Sequence, residues 1–226
     1  MLRIKLTIPI LSVLLFLGVF AMSCEAEERA VDPVVVQDGN ANNDNNNTQA
    51  DFSVLFVGNS LTYFNSLPIL VEEEAARRGI EVRTEELAFP NYALIDHWND
   101  GNVQDLIETG AFDFVVVQQG PSSQPYGRMI LIQYGQLFKD LCVANDTELA
   151  FFMVWPSIPY YHTFEGVIAN YSSAAQITGS ILCPVGELWR DHITATGDYG
   201  FYGPDGFHPS QEGSEFAARI IVDSLF

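Results

Sequence analysis

Continuously apolar runs of strand character, separated by segments with helical periodicity, constrain the fold of this chain most strongly. Two of these runs, at 114–117 and 151–154, contain no polar residue. A strand is apolar on both sides when helices cover both faces of its sheet. Strands are predicted at 53–57, 81–88, 112–118, 149–154 and 181–185, and helices at 66–78, 102–109, 128–141, 164–178 and 211–225. This alternation predicts an α/β domain with a doubly wound, five-stranded parallel sheet and right-handed crossovers.

The first 50 residues are predicted to lie outside that domain. Arg3 and Lys5 precede an apolar stretch, and residues 21–24 (AMSC) resemble the lipobox of a bacterial lipoprotein. A signal peptide is therefore predicted over 1–23, with Cys24 as the lipidated N-terminus; an uncleaved anchor helix is the alternative. The acidic, Asn-rich segment 24–50 has the composition of a tether, which leaves one domain at 51–226.

The net charge of the chain limits the classes of molecule that it is expected to bind. It has 29 acidic and 10 basic residues, a formal net charge of −19. A field of this sign disfavours nucleic acid and anionic lipid surfaces, so a neutral small molecule or glycan ester is the expected partner. Membrane contact is expected through the lipid anchor only. The predicted location is a bacterial membrane, with the outer membrane, facing periplasm or cell surface, as the favoured one.

Cysteine and histidine spacing gives no sign of a metal or a cofactor. The sequence contains no CxxC and no HExxH motif, so a zinc site is not expected, and no cofactor is predicted. Beyond Cys24, only Cys142 and Cys183 remain. They could form a disulfide in an oxidising compartment, or they could be two buried thiols.

A candidate nucleophile follows the first predicted strand. Residues 54–62 (VLFVGNSLT) end that strand in a Gly-Asn-Ser turn before a helical pattern. In an open parallel sheet, this places Ser60 at the carboxyl edge, where ligands bind, beside the free N–H groups of a helix start. Serine needs a base, and the base needs a carboxylate to orient it. His208 and Asp205 in the loop 204–210 (PDGFHPS) can supply both. Alone, each is explained as a loop residue; together with Ser60 they predict a catalytic triad.

The two blocks GNSLT at 58–62 and DGFHP at 205–209 resemble those of SGNH (GDSL-like) hydrolases. They occur in that family's order and bracket nearly the whole domain. The resemblance implies a flavodoxin-like three-layer α/β/α sandwich and ester hydrolysis through an acyl-enzyme. It also implies roles for three residues: Ser60 is the nucleophile, His208 the general base and acid, and Asp205 the orienting carboxylate.

The middle of the chain departs from the family pattern, in which a glycine N–H and an asparagine side chain join the serine N–H in the oxyanion hole. Residues 88–98 (AFPNYALIDHW) contain no glycine, so the backbone N–H of Asn91 or Tyr92 is expected in its place. Residues 117–122 (VQQGPS) contain no such asparagine. Gln118 is the first candidate for the side-chain donor, because its amide can do the same work, and Gln119 is the competing candidate.

The two triad blocks predict a serine esterase, a carboxylic ester hydrolase. The predicted location, the acidity of the chain and the resemblance to the family add deacetylation of carbohydrate at the cell envelope as its expected specific form. One alternative is a lipase or thioesterase that acts on longer acyl chains. Another is a glycan-binding surface lipoprotein that has kept the fold and lost turnover.

Three further sites could line the substrate pocket. His97 and Trp155 are candidates, although a packed structural role is the competing interpretation for both. The aromatic cluster at 160–162 (YYH) could stack on a sugar ring.

Overall fold

A single parallel sheet organises residues 50–226, which are the residues that the computed structural model describes. The strands are β1 (Phe52–Gly58), β2 (Val82–Ala88), β3 (Phe114–Val117), β4 (Glu148–Phe152) and β5 (Ile181–Cys183). Their order in the sheet is β2-β1-β3-β4-β5, and all neighbouring pairs are parallel. The predicted signal peptide, Cys24 and all but the last residue of the predicted tether lie outside the described residues.

Helices cover the sheet in two groups. In the described part of the chain they are α1 (Ser60–Tyr63), α2 (Leu67–Arg77), α3 (Leu94–Asp100), α4 (Asn102–Ile107), α5 (Pro125–Ala144), α6 (Phe164–Thr178), α7 (Val185–Thr196) and α8 (Gln211–Leu225). Helix α2 packs on α8, whereas α5 packs on α3, α4 and α6. The result is the flavodoxin-like α/β/α sandwich with a five-stranded parallel sheet, which confirms the predicted fold class.

Three helices, α1, α3 and α7, are absent from the sequence-based prediction. In α7 the buried residues Val185, Trp189 and Ile193 recur every four positions, which is the signature of one helix face. The predicted strand 181–185 extends into the first turn of this helix, because the apolar residues of β5 run on into it. The strand predicted at 149–154 ends at Phe152, although Met153 and Val154 are also fully buried.

Aromatic packing closes the core beyond the carboxyl end of β4. Trp155 and Trp189 are both fully buried, and their rings stack with centroids 3.7 Å apart and planes 10° apart. Helix α7 comes close to this strand end because Gly186 has no side chain, and its N–H donates to Met153 O at 3.0 Å. The packing fixes the segment that follows β4 against the body of the domain.

Both cysteines of the described residues are buried free thiols. Burial raises the pKa of Cys142 and of Cys183 to about 12, so both remain protonated at neutral pH. Of the two interpretations of the pair, the structure selects the buried thiols. No helix in residues 50–226 is long and apolar enough to cross a membrane. The same residues hold no group of three or more His, Cys, Asp or Glu side chains that could bind a metal ion.

Gly186→Ala is expected to lower the free energy of unfolding by about 1–3 kcal/mol, as overpacking typically does. An added Cβ would lie 2.1 Å from Val154 O, a backbone atom that cannot move aside without shifting the strand end. Urea denaturation measures the loss. At Gly120 an added Cβ meets nothing within 4 Å, so Gly120→Ala is the matched control and should leave stability unchanged or slightly raised. Equal losses in the two variants would contradict this account of the packing.

Candidate active site

The turn between β1 and α1 presents Ser60 at the carboxyl edge of the sheet. The Asn59 side chain caps α1, because its Oδ1 accepts from the Leu61 N–H at 3.1 Å. Its Nδ2 donates to Tyr92 O at 2.9 Å and so ties the turn to the segment after β2. Gly58 is required here, since a Cβ would lie 2.2 Å from Thr62 Oγ1. The Gly-Asn-Ser sequence therefore supplies a close approach, a helix cap and an accessible hydroxyl in consecutive positions.

Gln118 supports this turn from beneath. Its side chain is fully buried, and its Oε1 accepts from the Asn59 N–H and from the Thr62 hydroxyl, both at 2.9 Å. Its Nε2 is buried without a hydrogen-bond partner among the described residues. Gln118 lines neither of the cavities described below. The structure thus places it under the nucleophile turn, and not at the cavity surface that an oxyanion donor would need.

His97 is a second support for the same turn. It is buried, and its Nε2–H donates to Gly58 O at 2.8 Å, which leaves Nδ1 without a proton. Burial lowers the pKa of His97, so the ring is neutral at neutral pH. It packs on Tyr92 and Phe89, while Trp98 packs on Phe138. The predicted pocket role of His97 is therefore not what the structure shows: its imidazole lies below the turn and outside both cavity linings.

Asp205, His208 and Ser60 form one hydrogen-bonded chain. Asp205 Oδ1 accepts from the N–H groups of Phe207 and His208, both at 2.9 Å, which orients the carboxylate. Its Oδ2 lies 2.5 Å from His208 Nδ1. His208 Nε2 lies 2.9 Å from Ser60 Oγ, across 148 residues of sequence. The structure therefore brings together all three predicted triad residues.

The surroundings of the triad fix the proton positions. The hydrogen bond from His208, followed by that from the Phe207 N–H, holds the pKa of Asp205 below its ordinary value. The ionised carboxylate then requires the proton of His208 on Nδ1, so Nε2 is free to accept the hydroxyl proton of Ser60. Phe64 stacks on the imidazole with ring centroids 4.5 Å apart. No sequence pattern points to this aromatic contact in advance.

Trp155 holds the loop between α7 and α8, residues 197–210, which carries Asp205 and His208 and is named the triad loop. Its fully buried indole donates from Nε1 to Phe207 O at 3.0 Å. Tyr202 Oη donates to Pro156 O at 2.8 Å, and the Ile158 N–H donates to Gly206 O at 2.9 Å. The segment after β4 and the triad loop are thus tied together at three points. Trp155 does not have the predicted pocket role either, because its ring lies in the core and lines neither cavity.

A cavity of about 500 Å³ opens in front of Ser60. It is lined by Asn59, Ser60, Asn91, Tyr92, Ala93, Ile95, Asp96, Gln119, Gly120, Pro121, Ser122, Tyr126, Gly127, Ile130 and Phe207. The backbone N–H groups of Ser60 and Asn91 have no acceptor within residues 50–226. Both residues line this cavity, so their N–H groups are candidate donors to a ligand bound there. We name it the nucleophile cavity.

Asn91 is favoured over Tyr92 as the backbone donor. The Tyr92 N–H already donates to Phe89 O at 3.2 Å. Asn91 has φ 64°, in the left-handed region that favours glycine and that asparagine tolerates better than most residues. The chain therefore adopts at Asn91 a backbone conformation suited to glycine, although the sequence contains none in this segment.

The Gln119 side chain is committed to the scaffold. Its Nε2 donates to Ser122 Oγ at 2.7 Å and to Gly127 O at 3.3 Å, while its Oε1 accepts from the Leu94 N–H at 3.3 Å. Both amide hydrogens are used, so Gln119 has none left for a ligand. Neither glutamine therefore offers a side-chain donor to the nucleophile cavity in this structure.

A pH titration of stability tests the role of His97. The pKa of His97 is lowered by burial, so the unfolded chain binds this proton more readily than the folded one. The contribution to stability is thus complete above the ordinary histidine pKa of about 6.5 and is lost as the pH falls below it. His97→Asn is expected to flatten this slope by at most about 1.4 kcal/mol per pH unit. The exposed His162, changed to Asn, is the control, and an equal flattening there would contradict the assignment.

Comparisons with known proteins agree with the fold. No protein-family model and no curated protein matches the sequence. A protein from Slackia heliotrinireducens assigned as an SGNH hydrolase matches with TM-score 0.66 at 22% identity, over 77% of this chain and 99% of that one. A catalytic mutant of an acetylxylan esterase from Geobacillus stearothermophilus matches with TM-score 0.58 at 14% identity, over 77% and 94%. A lipase/acylhydrolase from Enterococcus faecalis matches with TM-score 0.59 at 18% identity, over 76% and 94%. Residues 50–226 of this chain thus have the fold of SGNH hydrolases.

Proposed function

We propose that this protein is a serine esterase that hydrolyses carboxylic esters through an acyl-enzyme. The observation that carries the proposal is the hydrogen-bonded chain from Asp205 through His208 to Ser60. It ends at a cavity that is lined by two residues with free backbone N–H groups, Ser60 and Asn91. A nucleophile, its base, the group that orients the base and donors for a developing negative charge are the parts that acyl transfer requires.

The reaction follows from the positions of these groups. Ser60 Oγ attacks the ester carbonyl as His208 Nε2 takes its proton, and Asp205 stabilises the imidazolium that results. The N–H groups of Ser60 and Asn91 stabilise the tetrahedral oxyanion, at about 3 kcal/mol for each donor. His208 then protonates the departing alcohol. A water molecule, deprotonated by the same imidazole, releases the acid and restores Ser60.

The free N–H groups support an active enzyme over a binding protein that has lost turnover. The argument for lost turnover is that residues 88–98 contain no glycine, where the family pattern has one. Asn91 meets that requirement through its left-handed backbone at φ 64° and its unpaired N–H. Backbone geometry thus supplies what the residue type does not.

The lining of the nucleophile cavity combines polar and apolar side chains. Asn59, Asn91, Asp96 and Ser122 share it with Ala93, Ile95, Pro121, Ile130 and Phe207. Acetyl is the proposed acyl group, in contrast to the longer chains of a lipase or thioesterase, and the support for it is the fold shared with a protein named as an acetylxylan esterase.

Carbohydrate acetates at the cell envelope are the proposed substrates. The lipoprotein-type signal at 1–24 and the net charge of −19 support a neutral substrate outside the cytoplasm. One of the structures with this fold is named as an acetylxylan esterase.

Ser60→Ala is expected to reduce acetate release from 4-nitrophenyl acetate by at least about 10³-fold, because it removes the nucleophile. Initial rates at neutral pH measure the effect. Ser173→Ala is the matched control, since the hydroxyl of this half-buried serine accepts only from Arg128, away from the cavity, and its loss should leave the rate unchanged. Equal rates for wild type and Ser60→Ala would refute the proposed role.

Variants at Asn91 test the backbone donor. Asn91→Gly keeps the N–H and the left-handed backbone, so kcat should stay near the wild-type value. Asn91→Val disfavours a positive φ and displaces the N–H, so kcat should fall by about 10²-fold, the loss typical of one oxyanion donor. Steady-state kinetics on 4-nitrophenyl acetate separate the two. A similar large loss in both variants would show instead that the Asn91 side chain is the donor.

A further inference from the structure

A second cavity, of about 690 Å³, adjoins the nucleophile cavity. It is lined by Pro121, Ser123, Gln124, Pro156, Ser157, Pro159, Tyr160, His162, Thr163, Asp205 and Phe207. Pro121 and Phe207 line both cavities and so form the wall between them. Its volume lies in the range of roughly 300–1,000 Å³ that is usual for small-molecule sites. The reaction proposed above leaves this cavity, which we name the loop cavity, without a role.

Its position relative to the triad suggests which half of an ester it faces. The departing alcohol oxygen must reach the proton on His208 Nε2, so the alcohol lies on the imidazole side of Ser60. Asp205 and Phe207, which precede His208 in the same loop, line the loop cavity. Asn91, which offers its N–H to the oxyanion, lines only the nucleophile cavity. The alcohol half therefore leads towards the loop cavity and the acyl half remains in the nucleophile cavity.

The far wall of the loop cavity is held in fixed relation to the triad. This wall is the 3₁₀ segment Ile158–Thr163, whose first N–H donates to Gly206 O in the triad loop at 2.9 Å. The Tyr160 N–H donates to Ser157 O at 2.8 Å, and Thr163 Oγ1 donates to Tyr160 O at 2.7 Å. The backbone of Tyr160 is thus fixed on both sides. A ligand held against it would have a defined distance to His208.

The side chains of the loop cavity indicate a neutral, hydroxyl-rich ligand with an apolar face. Tyr160 is 62% exposed, and its nearest aromatic neighbour, His162, lies 6.4 Å away and tilted by 50°, so its ring faces are open. Within residues 50–226 no lysine or arginine lines the cavity, and Asp205 is its carboxylate, which disfavours an anionic ligand. Ser123, Gln124 and Ser157 offer hydroxyl and amide groups. The C–H face of a pyranose packs on an aromatic face, while its hydroxyls need such polar partners.

We propose that the loop cavity is the subsite for the alcohol half of the ester, and that it binds a neutral sugar ring stacked on Tyr160. This inference rests on the proposed esterase function and adds to it the site that binds the sugar. Tyr160 would act through affinity for the sugar and would take no part in proton transfer.

Two acetate esters that differ only in their alcohol test this subsite. Methyl 6-O-acetyl-β-glucoside and ethyl acetate both release acetate, so the ratio of their kcat/KM values isolates recognition of the alcohol. Tyr160→Ala is expected to lower this ratio by about five- to tenfold, through KM for the glucoside ester, which is the effect usual for loss of an aromatic contact. Tyr160→Phe should restore the wild-type ratio, because the ring and not the hydroxyl makes the contact. Tyr199→Ala is the control, since this exposed tyrosine lines neither cavity.

The outcomes separate the subsite from the enzyme activity. If wild type hydrolyses both esters and Tyr160→Ala leaves the ratio unchanged, the subsite assignment is wrong and the esterase stands. If wild type hydrolyses neither ester, the esterase is wrong, and saturation-transfer NMR with methyl β-glucoside decides the subsite alone. Saturation of the sugar ring protons that is lost in Tyr160→Ala would support the subsite, and no saturation in wild type would overturn it.

Discussion

The buried carboxamide of Gln118 fixes the turn on which the rest of the site depends. Its oxygen accepts from the Asn59 N–H and the Thr62 hydroxyl, one on each side of Ser60. His97 holds Gly58 O in the same turn. A buried donor left without such a partner costs about 1–3 kcal/mol, so these side chains stabilise the turn from beneath. Gln118 and His97 line neither cavity, yet they support the turn that positions the Ser60 hydroxyl.

The partner of Ser60 is fixed in a similar way from the other end of the chain. Asp205 Oδ1 accepts from two N–H groups of its own loop, and its Oδ2 accepts from His208 Nδ1. The loop is in turn held by the Trp155 indole, which is itself stacked on Trp189 in the core. The 2.9 Å contact between His208 and Ser60 therefore depends on packing well away from the cavity. Rigid support of this kind keeps a catalytic geometry preorganised.

The sequence alone predicts the sheet and the triad because both leave strong local signals. Strands β3 and β4 are continuously apolar, and the Ser60 and His208 blocks each have a recognisable order of residues. The choice between Asn91 and Tyr92 depends on a backbone angle and on which N–H a turn consumes, neither of which a residue type reveals. Gln118 and Gln119 are adjacent and chemically alike, so only the three-dimensional structure shows that both amides face the scaffold. His97 and Trp155 have residue types suited to a substrate pocket, but both side chains are buried and line neither cavity.

The most direct test of the account is the rate at which a fluorophosphonate labels the protein, with the labelled residue located by peptide mass spectrometry. Such a reagent is attacked by an activated serine, so its rate reports the nucleophile and its base independently of any substrate. We expect a single adduct on Ser60 in wild type, and a rate at least about 10²-fold lower in His208→Gln. An adduct on another serine, or equal rates in the two proteins, would contradict the assignment of Ser60 as a nucleophile activated by His208.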